Sequence, residues 1–516
     1  MDEVRLVHFS TISIDPFTHV KQEKLIHKWL EISNQNCHED EKHNQIDQIE
    51  KNVNSIIIEE KILPRYPFFI LSILQTHESF MPPDLKITAY GHCYYALILA
   101  HLIKSGIEKK DEHISMCFNY SAQLAHEIFK KAPKTLCLST EDYNKFDKSY
   151  KDDFIIYQSN INRLFSPTGI LKKVDGKGIT FNLDYSYYFF LGMHLAKTYE
   201  KNKSTISKMI ERSHKKNNAL SLIFIIHHTE DIEIIDEILT HTLCSIDNVN
   251  PAKLDANETK VFNKLLVGLP NKLETNNTID EEREEERKQR DIIESNNPTR
   301  EVDEKDDHLS VLNQIYKCRK NIEILSQILK NKIGDLKKPK IYEIVETICD
   351  AGLRLARILL SDENEMREVV EYINAQYIES DDYDDSKSKR ERLEDIDNLF
   401  RIRVFLWVMT SIEHVVTAIS KPGIKEIIDN ISEDKNTPAY EMINYFYSLD
   451  TATKFDEKNR DQLSSIINKY DRKKYFFLHK TLSLRTQHYL NTHAVKTPIN
   501  QSVCSLLQIQ YKKRLE

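Results

Sequence analysis

The stretch GILKKVDGKGITFNLDYSYYFFLGMHLAKTYE, residues 169–200, carries the clearest structural signals in this chain. Two short apolar segments, 170–174 and 179–183, flank the turn Asp175-Gly176-Lys177-Gly178. Glycine next to Asp suits the tight turn of a β-hairpin, so this part predicts a hairpin. Aromatic residues then occupy nearly every position from 185 to 190, which predicts a helix that is buried on all sides.

A helix is also predicted before the hairpin, in DDFIIYQSNINRLF at 152–165. Helix, hairpin and helix in this order are the layout of a winged-helix-like unit, to which we assign residues 151–203. Winged helices often bind DNA through basic side chains on a helix and on the wing. Here the basic residues lie in the wing only, at Lys172, Lys173 and Lys177.

The helix after the wing is aromatic and offers no basic face to DNA. We therefore expect the unit to act as a conformational hinge and not as a DNA reader. This interpretation predicts that Tyr188 and Phe189 are largely buried.

The residues before this unit are predicted to be helical, with interruptions at prolines. Residues 1–60 favour a short strand and an amphipathic helix, and 61–150 favour a helical domain. Pro64 and Pro67 exclude a regular helix through their segment because proline lacks the amide donor and restricts the residue before it.

The residues after the unit also favour helices. We predict a helical extension over 204–273 and a C-terminal helical domain over 309–516, in which apolar stripes on paired helices would pack side by side. Residues 274–308 are dense in both charge signs and almost devoid of apolar residues, so they predict a solvated charged linker. The expected fold class is mainly α, with several domains.

Composition excludes several classes of function. The chain holds only 10 Gly, and its one Gly-Lys pair, Gly176-Lys177, lies in the predicted hairpin. A phosphate-binding loop needs a glycine-rich sequence before that pair, so the chain has none of its own. The net charge of -8 does not favour nucleic-acid binding.

The sequence also offers no convincing metal site. The clusters HEDEKH (38–43) and HHTED (227–231) lack the spacing that places ligands on one helix face, and no two of the 8 cysteines form a C-x-x-C pair. The cysteine usage and the absence of a signal-peptide pattern favour a cytoplasmic protein. The longest apolar runs are shorter than a membrane span requires.

Three segments together resemble the part of STAND-type NTPases that follows the nucleotide-binding core. These NTPases are signal-transduction ATPases with numerous domains, here of the bacterial kind used in antiphage defence. The segments are SIDPFTHVKQEKLIHKWL (13–30), KILPRYPFFILSILQTHESFMPPDLKITAYGHCYYALI (61–98) and the hairpin stretch at 169–200. By this resemblance they correspond to the end of the α/β core with its following helix, to the helical lid, and to the winged helix.

The resemblance implies one nucleotide contact. In the family, a proline of the lid motif lies against adenine, and Pro67 matches it best, with Pro64 second. The usual glycine of that motif is absent from 61–65. The Walker A and Walker B motifs would lie before Met1, so no cofactor is expected in this chain alone, and ATP or ADP is expected only when it is joined to an NTPase core.

Three functions stay open. The first is the regulatory and sensor portion of a STAND-type NTPase, a conformational hinge and protein-interaction arm that is not itself an enzyme. Its partners would be an NTPase core and a phage or host protein, with no nucleic acid and no membrane, and oligomerisation stays open. The alternative is a stand-alone helical scaffold for protein partners. A second alternative is an enzyme whose site has no recognisable motif.

Overall fold

The computed structural model describes residues 15–32, 39–57, 63–79, 89–229, 232–268, 277–296, 311–360, 363–378 and 388–510. These residues form 23 α-helices, one short 3-10 helix and one two-stranded hairpin. The mainly α fold class is therefore confirmed. The strand expected near the N-terminus lies outside the described residues.

Four helices precede the winged-helix-like unit. They are α1 (His19–Ile32), α2 (Glu39–Ile57), α3 (Pro67–Ser79) and α4 (Ala89–Lys104). α1 packs on α2 and α3, and α3 packs on α4. Pro67 begins α3, a position that tolerates proline because the first amides of a helix have no partner within it.

Three helices and the hairpin follow. They are α5 (Asp111–Lys131), α6 (Thr140–Asp153), α7 (Gln158–Leu164), β1 (Leu171–Val174) and β2 (Gly178–Phe181). β1 and β2 pair antiparallel, and a bridge joins Leu138 to Ile179 of β2 through two backbone hydrogen bonds of 2.8 Å. This third strand position lies before residue 151, the predicted start of the winged-helix-like unit, and that boundary stays a prediction.

Gly178 is required where the hairpin meets Leu138. Its φ of +137° is rarely adopted by other residues, and a Cβ there would lie 1.8 Å from the Leu138 carbonyl oxygen. The helix predicted over 152–165 is shorter than expected, because 154–157 form an irregular connection and only α7 is helical.

The aromatic helix α8 (Asp184–Lys197) lies in the core, as predicted. Tyr188 and Phe189 are 3% and 1% exposed, which confirms the expected burial. α8 packs on α5 and α10, and Gly192 lets it approach Phe224 closely, since a Cβ at Gly192 would lie 2.6 Å from the Phe224 backbone.

The chain continues through six elements. They are α9 (Tyr199–Glu211), α10 (Lys216–His228), α11 (Ile232–Leu243), α12 (Ala256–Thr259), a 3-10 turn at Lys260–Phe262 and α13 (Asn263–Val267). α10 and α11 pack on the C-terminal helices, so one apolar core runs through both halves of the protein.

The C-terminal domain is a helical array. Its helices are α15 (Val311–Lys332), α16 (Lys338–Ile358), α17 (Glu363–Ile378), α18 (Lys389–Ile419), α19 (Lys425–Lys435), α20 (Pro438–Thr451), α21 (Glu457–Lys469), α22 (Phe476–Thr492) and α23 (Thr497–Leu507). α15, α16 and α18 pack on one another, and α18 also packs on α20.

Among the described residues, α18 is the one helix long and apolar enough to suit a membrane span. Core helices share that composition, and α18 buries Val404, Val408 and Ile412 completely against its neighbours. The helix is therefore explained by the core of the array. The cytoplasmic location stays a prediction.

The charged linker predicted over 274–308 contains a helix in its described part. Residues 279–296 form α14 (Ile279–Asn296), which begins with a capping box between Thr278 and Glu281. α14 packs on α1 and on α22. The segment is anchored by charge pairs and not by an apolar stripe, which is why its composition indicated a solvated segment.

Candidate functional site

Helix α14 carries two arginines that are buried despite its charged sequence. Arg283 and Arg287 are four residues apart and therefore share one face of the helix. Each side chain is only 3% exposed. A buried guanidinium must be paired, since an isolated buried charge is very unfavourable.

The partners come from α1 and α2, far away in the sequence. Nε of Arg283 donates to Glu23 at 3.0 Å, and its Nη2 donates to Asp47 at 2.6 Å. Nε of Arg287 lies 2.8 Å from the second oxygen of Glu23, and its Nη2 donates to Glu50 at 2.8 Å. Glu23 thus bridges both arginines. We name this cluster, with His493 added below, the ionic junction.

The end of α22 completes the ionic junction. His493 lies with Nε2 2.9 Å from Asp47, and its ring stacks on Tyr489 with centroids 4.1 Å apart. The Tyr489 hydroxyl donates to Asn44 of α2 at 2.8 Å. Nη1 of Arg283 also donates to the carbonyl oxygen of Thr492 at 3.3 Å. The junction therefore joins the N-terminal helices to the C-terminal array.

Burial and the two arginines set the pKa values in the ionic junction. Burial alone would raise the pKa of Asp47, but Arg283 and His493 hold that pKa well below its usual value. Burial raises the pKa of Glu23, and the two guanidinium groups offset this only in part. Burial, with Arg283 nearby, lowers the pKa of His43 on α2 to about 4. His43 is therefore neutral at pH 7.

A second group of charges extends the contact between α2 and the array. Lys51 lies 2.8 Å from Asp450 of α20, and Arg485 of α22 lies 3.0 Å from the other oxygen of Asp450. Glu413 of α18 lies 3.6 Å from Arg485. Burial would raise the pKa of Asp450, but Lys51 and Arg485 lower it.

The two proline residues expected near adenine lie at the opposite end of α14. The Pro64 carbonyl accepts from the amide of Tyr66 at 2.7 Å, and Pro67 starts α3. Between them, Arg65 lies 2.7 Å from Glu294 of α14. The proline segment thus packs beside α1 and α14, and its contact with adenine stays a prediction.

One group beside this segment has the residue types of a metal site. Ligand atoms of His19, Asp291 and Glu294 all lie within 4.8 Å of one another. Burial and Arg65 lower the pKa of His19, which favours the neutral imidazole that metals bind. However, the Arg65 guanidinium already pairs with Glu294 and would repel a divalent cation. We treat this group as a polar contact between α1 and α14.

The histidines of the HHTED cluster are core residues. Burial lowers the pKa of His227 to about 3 and that of His228 to about 4. His227 packs near the ring of Tyr94, and His228 packs edge-to-face on Phe189. In the HEDEKH cluster, His38 lies outside the described residues and His43 belongs to helix α2.

The ionic junction was missed by the sequence analysis. The sequence signal that could have indicated the junction is the pair of arginines four residues apart within EEREEERKQR. No local pattern predicts which acidic residues pair with them. The arrangement offers fixed, opposed charges that hold α1, α2, α14 and the end of α22 together. Comparisons with protein-family models, with curated proteins and with solved structures found no match to this chain.

Proposed function

We propose that this chain is the regulatory and sensor portion of a STAND-type NTPase and acts as its conformational hinge, and that the ionic junction is a contact that is released when the hinge opens. The observation that carries the proposal is the pair Arg283 and Arg287, which joins α1 and α2, the helices of the 1–60 segment, to the array through α14. In this proposal a separate core supplies the phosphate-binding loop and ATP, and the chain itself is not an enzyme.

A contact made of buried charges suits a hinge better than an apolar contact does. Desolvation of each ion costs several kcal/mol and offsets most of the attraction between the charges, so the closed contact gains little net stability. Loss of one partner, in contrast, costs about 3–5 kcal/mol because the other charge stays buried and unpaired. Such a contact is specific when closed and releasable when competing charges or water reach it.

The order of units supports the same proposal. Lid-like helices, a winged-helix-like unit and a long helical array follow one another along the chain. This is the order that the resemblance implies. Protein partners, a role in antiphage defence or signalling and a cytoplasmic location belong to the proposal as well.

The proposal is tested by supplying the missing core. The P-loop protein encoded beside this chain is co-expressed with it, and ATP hydrolysis by the complex is compared with that of the chain alone. We expect no turnover by the chain and a rate in the complex that changes with Arg287→Gln but not with Lys288→Gln. The absence of such a neighbouring core, or equal rates for both variants, would contradict the proposal.

An exposed apolar surface favours the alternative of a stand-alone scaffold. Tyr372 of α17 and Leu399 and Leu406 of α18 are each more than half exposed. Large exposed apolar side chains on two packed helices are consistent with a protein-binding surface. If the chain is a scaffold, Leu399→Glu should abolish its binding to a purified partner protein. If the chain is the proposed hinge, ATP hydrolysis by the complex with the core should still change with Arg287→Gln.

A further inference from the structure

Two histidines from different helices stack on each other at the contact between α5 and α8. The rings of His126 and His194 lie with centroids 4.0 Å apart and with planes 24° from parallel. His194 is only 8% exposed, and His126 is partly buried. Each ring therefore has the other ring, and not solvent, on one of its faces.

The charged groups that act on the pair are cations. Lys130 of α5 acts on both rings, and Lys197 of α8 acts on one of them. Glu127, the nearest acidic residue in the sequence of α5, pairs with Lys131. In the described part of the chain, no carboxylate or carbonyl oxygen accepts a hydrogen bond from either ring, and no other element adds a charge. A proton on either ring would therefore gain no acidic partner.

The other helix that packs closely on α8 carries histidines as well. In α10, His228 lies edge-to-face on Phe189, and His227 packs near Tyr94. These two rings contact α8 and α4 away from the stacked pair, and acid affects them too because burial lowers their pKa values. A test of the stacked pair must therefore measure the ends of α5 and α8, and not the stability of the whole fold.

Burial lowers the pKa of both stacked rings. With His194 and Lys130 as further causes, the pKa of His126 falls to about 3, and with Lys130 and Lys197 that of His194 falls to about 4. Rings that separate into water regain the ordinary pKa of 6.5. The separated state takes up protons first, so the closed contact is favoured fully above pH 6.5 and less as the pH falls toward 4.

We propose that the stacked pair of His126 and His194 is an acid-sensitive latch, which holds the C-terminal half of α5 on α8 while both rings are neutral and releases it when they take up protons. Two imidazolium rings in this partly buried contact would repel each other and Lys130. The proposal does not depend on the proposed function.

Release at the latch should stay local. Phe118, nearer the start of α5, packs edge-to-face on Phe189 and on Phe190 of α8. These rings carry no titratable group, so the contact that they make is independent of pH. Acid should therefore free the end of α5 while the first half of the helix stays on the core.

The test measures hydrogen exchange of the full chain by mass spectrometry at about pH 7.5 and at about pH 5.5, with rates corrected for the effect of pH on the exchange chemistry. Each ring that regains its ordinary pKa on opening contributes a factor of about 10 between these values. Amides at 126–131 and 191–197 should therefore exchange about 100-fold faster at the lower pH. His126→Gln should leave a response of about tenfold, and the double variant with His194→Gln should leave almost none.

Two further sets of variants keep the test decisive. His126→Phe and His194→Phe keep an aromatic ring at each position without a titratable group, and they decide the question if the Gln variants fail to fold. His113→Gln is the control, since His113 lies at the other end of α5 and stacks on Tyr157. It should respond to acid like the parent protein. Equal corrected exchange of the parent at both pH values, or an undiminished response in the double variants, would overturn the proposal.

Discussion

Glu23 and Arg287 form a buried ion pair, with the carboxylate oxygen 2.8 Å from Nε of the guanidinium and the arginine side chain almost without solvent contact. Glu23 lies on α1 and Arg287 on α14. The pair therefore fixes a highly charged helix to the N-terminal part of the protein.

Arg287→Gln should lower the free energy of unfolding by about 3–5 kcal/mol, because Glu50 would remain buried without its guanidinium partner, while Glu23 would keep only Arg283. Urea unfolding followed by circular dichroism measures the difference. Lys288→Gln is the matched control, since Lys288 is exposed and pairs with Glu284 of the same helix. It should change stability by less than about 0.5 kcal/mol. Equal effects of the two changes would mean that α14 is not anchored.

Hydrogen exchange should show that α14 is protected, whereas a solvated linker would exchange at once. We expect slow exchange of the amides at 283–290, measured by mass spectrometry at neutral pH. Arg287→Gln should speed exchange in α14 and in α1 together, because both helices lose the same contact. Faster exchange in α14 alone would show that the junction does not couple the two helices.

The buried His43 should make stability fall at acid pH. Its folded pKa of about 4 lies below the ordinary value of 6.5, so the unfolded chain takes up the proton first. Stability contributed by the neutral ring is complete above pH 6.5 and declines as the pH falls toward 4. His43→Gln should therefore flatten the curve of unfolding free energy between these values, by up to about 3 kcal/mol.

His27→Gln serves as the control for this measurement. His27 is partly exposed on α1 and contacts Glu31 of the same helix. Its variant should follow the pH curve of the parent protein. Parallel curves for the parent and for His43→Gln would show that His43 does not determine the acid response.

Phe189→Asp should destabilise the fold by several kcal/mol, since it places an unpaired carboxylate between α5, α8 and α10. Phe154→Asp makes the same chemical change at a residue that is 42% exposed, and it should cost roughly 1 kcal/mol or less. Thermal unfolding of the two variants gives the comparison. Similar melting temperatures would show that α8 is not a core helix.

The sequence by itself determined the features that depend on neighbouring residues. The hairpin follows from Asp175 and its adjacent glycines, and the burial of α8 follows from aromatic residues that leave it no polar face. The helical character of the array follows from apolar spacing and from the scarcity of glycine. Each of these features depends on a turn motif or on the spacing of apolar residues, and a short window of sequence contains both kinds of pattern.

The tertiary structure alone decided which distant residues meet. Leu138 takes a strand position because it pairs with Ile179, and no local pattern around Leu138 predicts that pairing. Arg283 and Arg287 looked solvated because a charged helix carries no apolar stripe, yet Glu23 and Asp47 bury them. Opposite charges attract whatever their separation along the chain, so the identity of a charge's partner is decided by folding and not by local pattern.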